Sequence, residues 1–323
     1  MRYRKLGKSD IAVSEVSLGC WTMGGLNWSE GRPNGWANVD EPEVRKAIDY
    51  ALDHGVNHFD NADVYGNGKA ECMLARILGE RSKNVVIATK LGHNRGTAPH
   101  AYQALHVRHQ CEQSLSNLQR ECIDIYYFHH GDFGPQDQYL DEAIAVMQKL
   151  KKEGKIRLIG QSAYSIQDFQ RLVPKVKPDV LQSWAHMMDD QYIRPGSVVD
   201  TLLRENNMSF IAFSPLAQGV LLGKYKPGHQ TSFQEGDHRK NSSSFSDENL
   251  IKLAPKLEAL KARFGDSPAD LARVAIQFLM GHPRVACAIP GFRNLEQVKM
   301  NLAAAEPPLS PADLEFVRSV FKA

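Results

Sequence analysis

The chain has 323 residues, 42% of them hydrophobic and 24% charged, with a formal net charge of +2. That length suits one large α/β barrel with loop insertions, and so small a net charge gives no long-range field for gripping nucleic acid or an anionic membrane. The five cysteines, Cys20, Cys72, Cys111, Cys122 and Cys287, contain no C-x-x-C pair, which argues against a disulfide framework or a zinc knuckle.

Charges interrupt the first twenty residues before a signal-like apolar run can form, and no stretch approaches the roughly 18 apolar residues of a membrane span. A cytoplasmic protein with no nucleic-acid and no membrane partner is expected.

Taken in chain order, a hairpin is predicted over residues 3–13, a first strand at 16–18 and a helix over about 41–54, which Gly55 ends as a C-cap. Further β-rich runs follow at 58–60, 85–89, 123–129, 156–162, 180–184, 209–213 and 286–289. Segments between them, such as 108–119, 140–153, 198–206 and 268–280, carry apolar residues at three- and four-residue spacing, as one-sided helices require. Strands alternating with helices eight times over predict an α/β fold, a (β/α)8 TIM barrel formed as a single domain over 1–323 with an N-terminal β-hairpin. The rhythm breaks at 224–249, a polar stretch rich in Ser, Gly and Asn that reads either as a lid or as an inert surface loop.

Reactive side chains in such barrels sit where strands end. Asp60 closes the second strand, Tyr65 lies in the loop after it, Lys90 follows the third and His129 closes the fourth. An ammonium beside a phenol favours the phenolate and lowers the phenol's pKa, while a carboxylate keeps a desolvated lysine charged. His129 adds a hydrogen-bond donor for a carbonyl oxygen, so the set is suited to protonating an oxygen. Singly, each residue has a plainer reading: a structural ion pair for Asp60 and Lys90, a turn residue for Tyr65, a core histidine for His129. Their joint placement on neighbouring strand ends favours chemistry. A metal site at His129, His130 and Asp132 is disfavoured, because adjacent strand residues face opposite ways, and no metal is expected.

Barrels also bind phosphate in the loops after strands seven and eight. The first of these loops carries Ser214, Pro215, Leu216, Gln218 and Gly219, with Lys224 as a counter-charge; the second carries Gly291 and Arg293, whose guanidinium can fork onto a 2′-phosphate. Trp21, after the first strand, reads as a wall of the substrate pocket or as core.

The stretches GVNHFDNADVYG (55–66), ATKLG around Lys90 and IDIYYFHHGD (123–132) resemble the three signature regions of the aldo-keto reductase superfamily. FSPLAQGVLLGKY (213–225) and IPGFRNLEQVKMNLAA (289–304) extend the resemblance over nearly the whole chain and towards the bacterial and potassium-channel β-subunit-like branch. That resemblance implies Tyr65 as general acid, Lys90 and Asp60 as its tuning pair, and His129 as the residue orienting the carbonyl. It also implies Phe213 against a nicotinamide ring, Ser162 and Gln182 on its carboxamide, and Gln297 and Asn301 facing adenine. The expected activity is reduction of aldehydes or ketones and the reverse alcohol oxidation, with NADP(H) as cofactor, NAD(H) as the alternative and a small carbonyl compound as partner. The rival is a nicotinamide-binding regulatory subunit resembling potassium-channel β-subunits.

Overall fold

The computed structural model describes residues 1–29, 31–229, 232–305 and 308–322. Its first elements are β1 (Tyr3–Lys5) and β2 (Ala12–Ser14), an antiparallel hairpin, followed by β3 (Leu18–Gly19). A second hairpin, β4 (Trp28–Ser29) and β5 (Arg32–Pro33), precedes α1 (Glu41–Asp53). The remaining strands are β6 (His58–Asp60), β7 (Val86–Leu91), β8 (Ile123–Phe128), β9 (Ile156–Ser162), β10 (Val180–Trp184), β11 (Ser209–Phe213) and β12 (Val285–Ile289). Between and after them run α2 (Lys69–Leu78), α3 (Ala104–Leu118), α4 (Leu140–Lys152), α5 (Ile166–Val176), α6 (Val198–Glu205), α7 (Asp247–Phe264), α8 (Pro268–Met280), α9 (Leu295–Ala303) and α10 (Pro311–Lys322). Among the described residues no helix is long and apolar enough to cross a membrane.

Eight parallel strands form one sheet in the order β12-β11-β10-β9-β8-β7-β6-β3. Parallel bridges from Val16 to Ala288 and from Gly19 to Gly291 join its two edges into a barrel, as the alternating sequence pattern predicts. Strand ends differ by a residue or two from expectation. The ladder between β7 and β8 continues to Leu91 and Phe128, so Lys90 lies inside β7 rather than at its tip. The first strand is shorter and later than predicted because it meets the seam through single bridges.

Apolar residues fill two layers. Inside the barrel, Ala88, Ile125, Tyr127, Leu158, Val180, Ile211 and Cys287 pack with Leu6, Ile11 and Val13, so the N-terminal hairpin plugs the lower end. Outside, the helices lay their apolar stripes on the sheet. Gly160 shows how tight the interior is: a Cβ there would lie 2.1 Å from Cδ1 of Tyr127, far inside van der Waals contact. Helix starts follow local capping. Asp40 accepts from the Glu43 amide at 3.2 Å, and Ser267 and Asp270 form a reciprocal capping box on α8, each cap contributing about 1 kcal/mol.

With the lower end plugged, the open end is the one where the parallel strands finish. There the polar stretch after β11 is ordered against the β4–β5 hairpin: Gly35 bridges to Asp237, and the His238 amide donates to the Gly35 carbonyl at 2.8 Å. Part of 224–249 thus packs over the mouth; residues 230 and 231 lie outside the described residues.

Candidate active site

β6, β7 and β8 are neighbours in the sheet, so their carboxyl ends bring Asp60, Lys90 and His129 to one rim. Lys90 Nζ donates to Asp60 Oδ1, to the Asn61 carbonyl at 2.7 Å and to Tyr65 Oη at 3.4 Å. Gln182 Nε2 donates to the second Asp60 oxygen at 2.8 Å. Both charges of the pair are buried, at 2% and 1% exposure; a buried pair is tolerable only when its remaining hydrogen-bonding capacity is met in this way. The rings of Tyr65 and His129 meet edge to face at 6.0 Å. Backbone packing holds the loop that carries Tyr65, because a Cβ on Gly24 would lie 2.6 Å from the Gly66 amide nitrogen, and Gly66 itself has φ +61°.

Burial pushes the Tyr65 pKa well above the ordinary phenol value, and the Asp60 carboxylate adds to the rise. The expected lowering by Lys90 is not found, because the ammonium is committed to Asp60 and Asn61 at closer range. His129 goes the other way. Burial, then the charges of His93, Lys90 and His130, press its pKa well below the usual imidazole value, so its ring is neutral. Its Nδ1 is sealed without a partner; a proton there would have no acceptor, which favours the tautomer carrying hydrogen on Nε2. His130 instead serves the scaffold, with Nε2 2.8 Å from the Gly92 carbonyl and its amide donating to Tyr102 Oη at 3.0 Å.

A cavity of about 640 Å³ opens above this group, within the range of ligand sites. Asp60, Tyr65, His129 and Trp21 line it, and so do Gln182, Phe213, Ser214, Pro215, Leu216, Gln218, Gly219, Lys224, Gly291, Arg293, Gln297 and Asn301. Two expected residues do not. Lys90 is covered by Asp60 and Tyr65, and Ser162 is fully buried with its hydroxyl unpartnered. Gln182 differs from expectation as well: its NH2 is held by Asp60, which leaves the carbonyl end for a ligand.

Several features of the cavity fit a dinucleotide, whose amino and hydroxyl groups donate hydrogen bonds and whose phosphates accept them. Buried Asn301 Oδ1 and Gln218 Oε1 have no partner, a state that costs on the order of 1–3 kcal/mol until something binds. Ser214, Ala217 and Gln218 all hold left-handed backbone, with φ of 55°, 45° and 58°, strain of the kind that collects at ligand-binding turns. Asn294 caps α9 by accepting from the Gln297 amide at 3.0 Å, and Arg293 Nη1 donates to the Ala37 carbonyl at 3.0 Å.

The sequence reading missed Arg32, Trp36, His93, Tyr164, His238 and Arg239, all of which line the cavity. His93 follows β7 by two residues and was open to the strand-end logic that found Lys90. Arg239 was hidden in the polar stretch. Its guanidinium forks onto buried Asp237, from Nε at 3.0 Å and Nη2 at 2.8 Å, between the rings of Trp36 and Phe233 at 4.8 and 4.4 Å.

The sequence of the Aldo/keto reductase family matches residues 15–322. An uncharacterized oxidoreductase of Bacillus subtilis, YqkF, is 28% identical, covering 94% of this chain and 91% of its own. A probable voltage-gated potassium channel subunit beta of Arabidopsis thaliana is also 28% identical, covering 100% and 97%. Among solved structures, the holo form of the aldo-keto reductase AKR11C1 from Bacillus halodurans superposes with a TM-score of 0.77 at 25% identity, covering 99% of this chain and 96% of the other. With the barrel, the strand-end group and a match over nearly its whole length, this chain belongs to the aldo/keto reductase family of oxidoreductases.

Proposed function

We propose that this protein reduces aldehydes and ketones with NADPH, and oxidises alcohols in reverse, with Tyr65 as the general acid. The observation that carries the reading is the Lys90 ammonium held beneath the cavity floor by the Asp60 carboxylate and the Tyr65 hydroxyl, which line it beside a neutral imidazole. Bound reduced nicotinamide supplies the hydride that goes to the carbonyl carbon.

The chain's own residues handle the oxygen. A phenol whose pKa is held up by burial and by Asp60 keeps its proton until the carbonyl oxygen gains alkoxide character, and an alkoxide is a much stronger base than a phenolate. The phenolate then left at Tyr65 Oη lies 3.4 Å from the Lys90 ammonium, which stabilises it in a site of low dielectric. His129 Nε2 orients the carbonyl by donating to its oxygen, and Asp60 holds Lys90 in place by accepting from its Nζ. Phe213 and the carbonyl end of Gln182 position the nicotinamide, while Asn301 and Gln297 face the adenine. Lys224 and Arg293 hold the phosphates, with Arg239 tied to Asp237 beside them, and the Arg293 guanidinium gives a 2′-phosphate, hence NADPH over NADH, its partner.

The test follows NADPH absorbance with an activated aromatic aldehyde. Wild type consumes cofactor and Tyr65→Phe loses about 10³-fold in kcat, the scale of a lost general acid; equal rates would reject Tyr65 as the acid. A second reading, a cofactor-binding regulatory subunit, is supported by the full-length match to a channel β-subunit. It gives tight NADPH binding with no aldehyde-dependent oxidation in the same assay.

A further inference from the structure

Among the described residues, the side chains of formal charge lining the cavity are one acid, Asp60, and four cations, Arg32, Lys224, Arg239 and Arg293. Asp60 is neutralised by Lys90. Lys224, Arg239 and Arg293 belong with the loops after β11 and β12, which suit the phosphates of a dinucleotide. Arg32 is the cation left over. It is exposed on β5, and its guanidinium makes no ion pair or hydrogen bond with any described residue.

Three contacts place the β4–β5 hairpin at the Tyr65 end of the cavity. Asn27 Nδ2 donates to the Val64 carbonyl, one residue before Tyr65, at 3.3 Å. Trp21 Nε1 donates to the Asn34 carbonyl, two residues after Arg32, at 3.3 Å, and the Trp21 ring stacks on Tyr65 at 6.0 Å. Ser29 pairs with Arg32 across the hairpin, and the Cβ position of Gly236 lies 2.8 Å from the Trp28 ring, so Trp28 rests on the folded stretch over the mouth. The other ionisable groups lining this end among the described residues are the Tyr164 phenol, whose pKa burial raises, and the imidazoles of His93, His129 and His238, pushed towards the neutral form chiefly by loss of water. Among the described residues, a substrate whose carbonyl meets Tyr65 therefore finds one unpaired fixed charge there, and it is positive, since Arg239 beside His238 is paired with Asp237.

Building on the reductase reading, we propose that the substrates are carbonyl compounds bearing an anionic group, phosphate or carboxylate, away from the carbonyl, and that Arg32 is the residue selecting that group. A guanidinium forks onto either anion, and as the charge sits on the hairpin rather than on the barrel rim it sets specificity without entering the proton transfer.

The experiment compares matched pairs on the intact, NADPH-loaded protein: glyceraldehyde 3-phosphate against glyceraldehyde, and succinic semialdehyde against butanal. The wild type is expected to favour the charged member of at least one pair in kcat/KM, and which pair shows it separates phosphate from carboxylate. Arg32→Gln should lower kcat/KM for that charged member by about 10- to 100-fold, the scale of a charge-assisted hydrogen bond, while the neutral member and the NADPH affinity change by no more than about threefold. Arg32→Lys should restore part of the preference. Loss of NADPH affinity with no change in preference would reassign Arg32 to the cofactor and overturn the proposal, as would a preference untouched by Arg32→Gln or no preference at all. Should no aldehyde be turned over, the reductase reading fails by itself. Calorimetric binding of glycerol 3-phosphate and succinate to the loaded protein then decides this one: binding of either that Arg32→Gln removes supports it, and binding of neither, or binding indifferent to Arg32→Gln, contradicts it.

Discussion

The rim of the barrel and the cover over it are built on different principles. At the rim, Asp60, Lys90 and His129 come from the adjacent strands β6, β7 and β8, whose parallel register places them side by side. In the cover, Gly35 pairs with Asp237, about 200 residues along the chain, through a single bridge between two irregular segments. The rim is held by a repeated ladder of backbone bonds. The cover is held by a few side chains: buried Asp237 accepting from the Ala37 amide at 3.1 Å, Arg239 forked onto Asp237, and Arg293 on the Ala37 carbonyl. Rigid parts of this kind suit proton transfer, which needs fixed geometry, whereas a lightly tied cover can open for a ligand.

The largest expected effect falls at the rim. Lys90→Met leaves the Asp60 carboxylate buried without its counter-ion, which should cost about 3–5 kcal/mol of stability in denaturant unfolding as well as the chemistry. A drop below about 1 kcal/mol would mean that Asp60 takes up a proton or finds water at little cost.

Next comes Asp63, buried just behind Tyr65, whose pKa is raised to about 7, mainly by burial, with Gln110 pulling the other way. A raised carboxyl pKa means that the folded protein holds the proton more tightly than the unfolded chain. Asp63 therefore weakens the fold increasingly as pH climbs from about 4 to 7, by at most about 4 kcal/mol on the plateau above. Asp63→Asn keeps an acceptor for Gln110 Nε2, now at 2.9 Å. Its stability relative to wild type should rise over that interval and then level off; a difference constant with pH would show that Asp63 is not held protonated.

Smaller effects belong to the phosphate end and the cover. Arg293→Gln should weaken NADPH binding about 10- to 100-fold and leave NADH nearly unchanged in fluorescence titration; equal losses for both would place Arg293 away from the 2′-phosphate. Asp237→Asn removes the charge opposite Arg239, so amide exchange at Gly35, Ala37 and His238 should quicken by about 10-fold while the barrel strands stay protected. If exchange in β7 quickens equally, the cover is not a separate unit.

How much of this was legible in the sequence follows the same division. Alternating elements and strand-end positions come from local periodicity, so the eight strands and the neighbourhood of Asp60, Tyr65, Lys90 and His129 could be read directly. That Ser214, Gln218 and Arg293 would line the cavity followed from their place after β11 and β12 together with the family resemblance. The roles of Arg239 and the β4–β5 hairpin were not legible, because neither segment has a periodic pattern and their partners are remote. Electrostatic direction also escaped the sequence. The lysine beside Tyr65 suggested a lowered pKa, but burial and the competing claim of Asp60 on the ammonium decide it.

The central claim is that this cavity transfers hydride to a carbonyl carbon instead of merely holding a nucleotide. It is tested most directly by loading the protein with NADPH deuterated at the reactive position of the nicotinamide, adding an aldehyde and locating the label by mass spectrometry. Deuterium on the carbinol carbon of the product alcohol, in wild type and about 10³-fold more slowly in Tyr65→Phe, is the predicted result. Tight binding with all the label still on the cofactor, for every aldehyde and ketone offered, would contradict it.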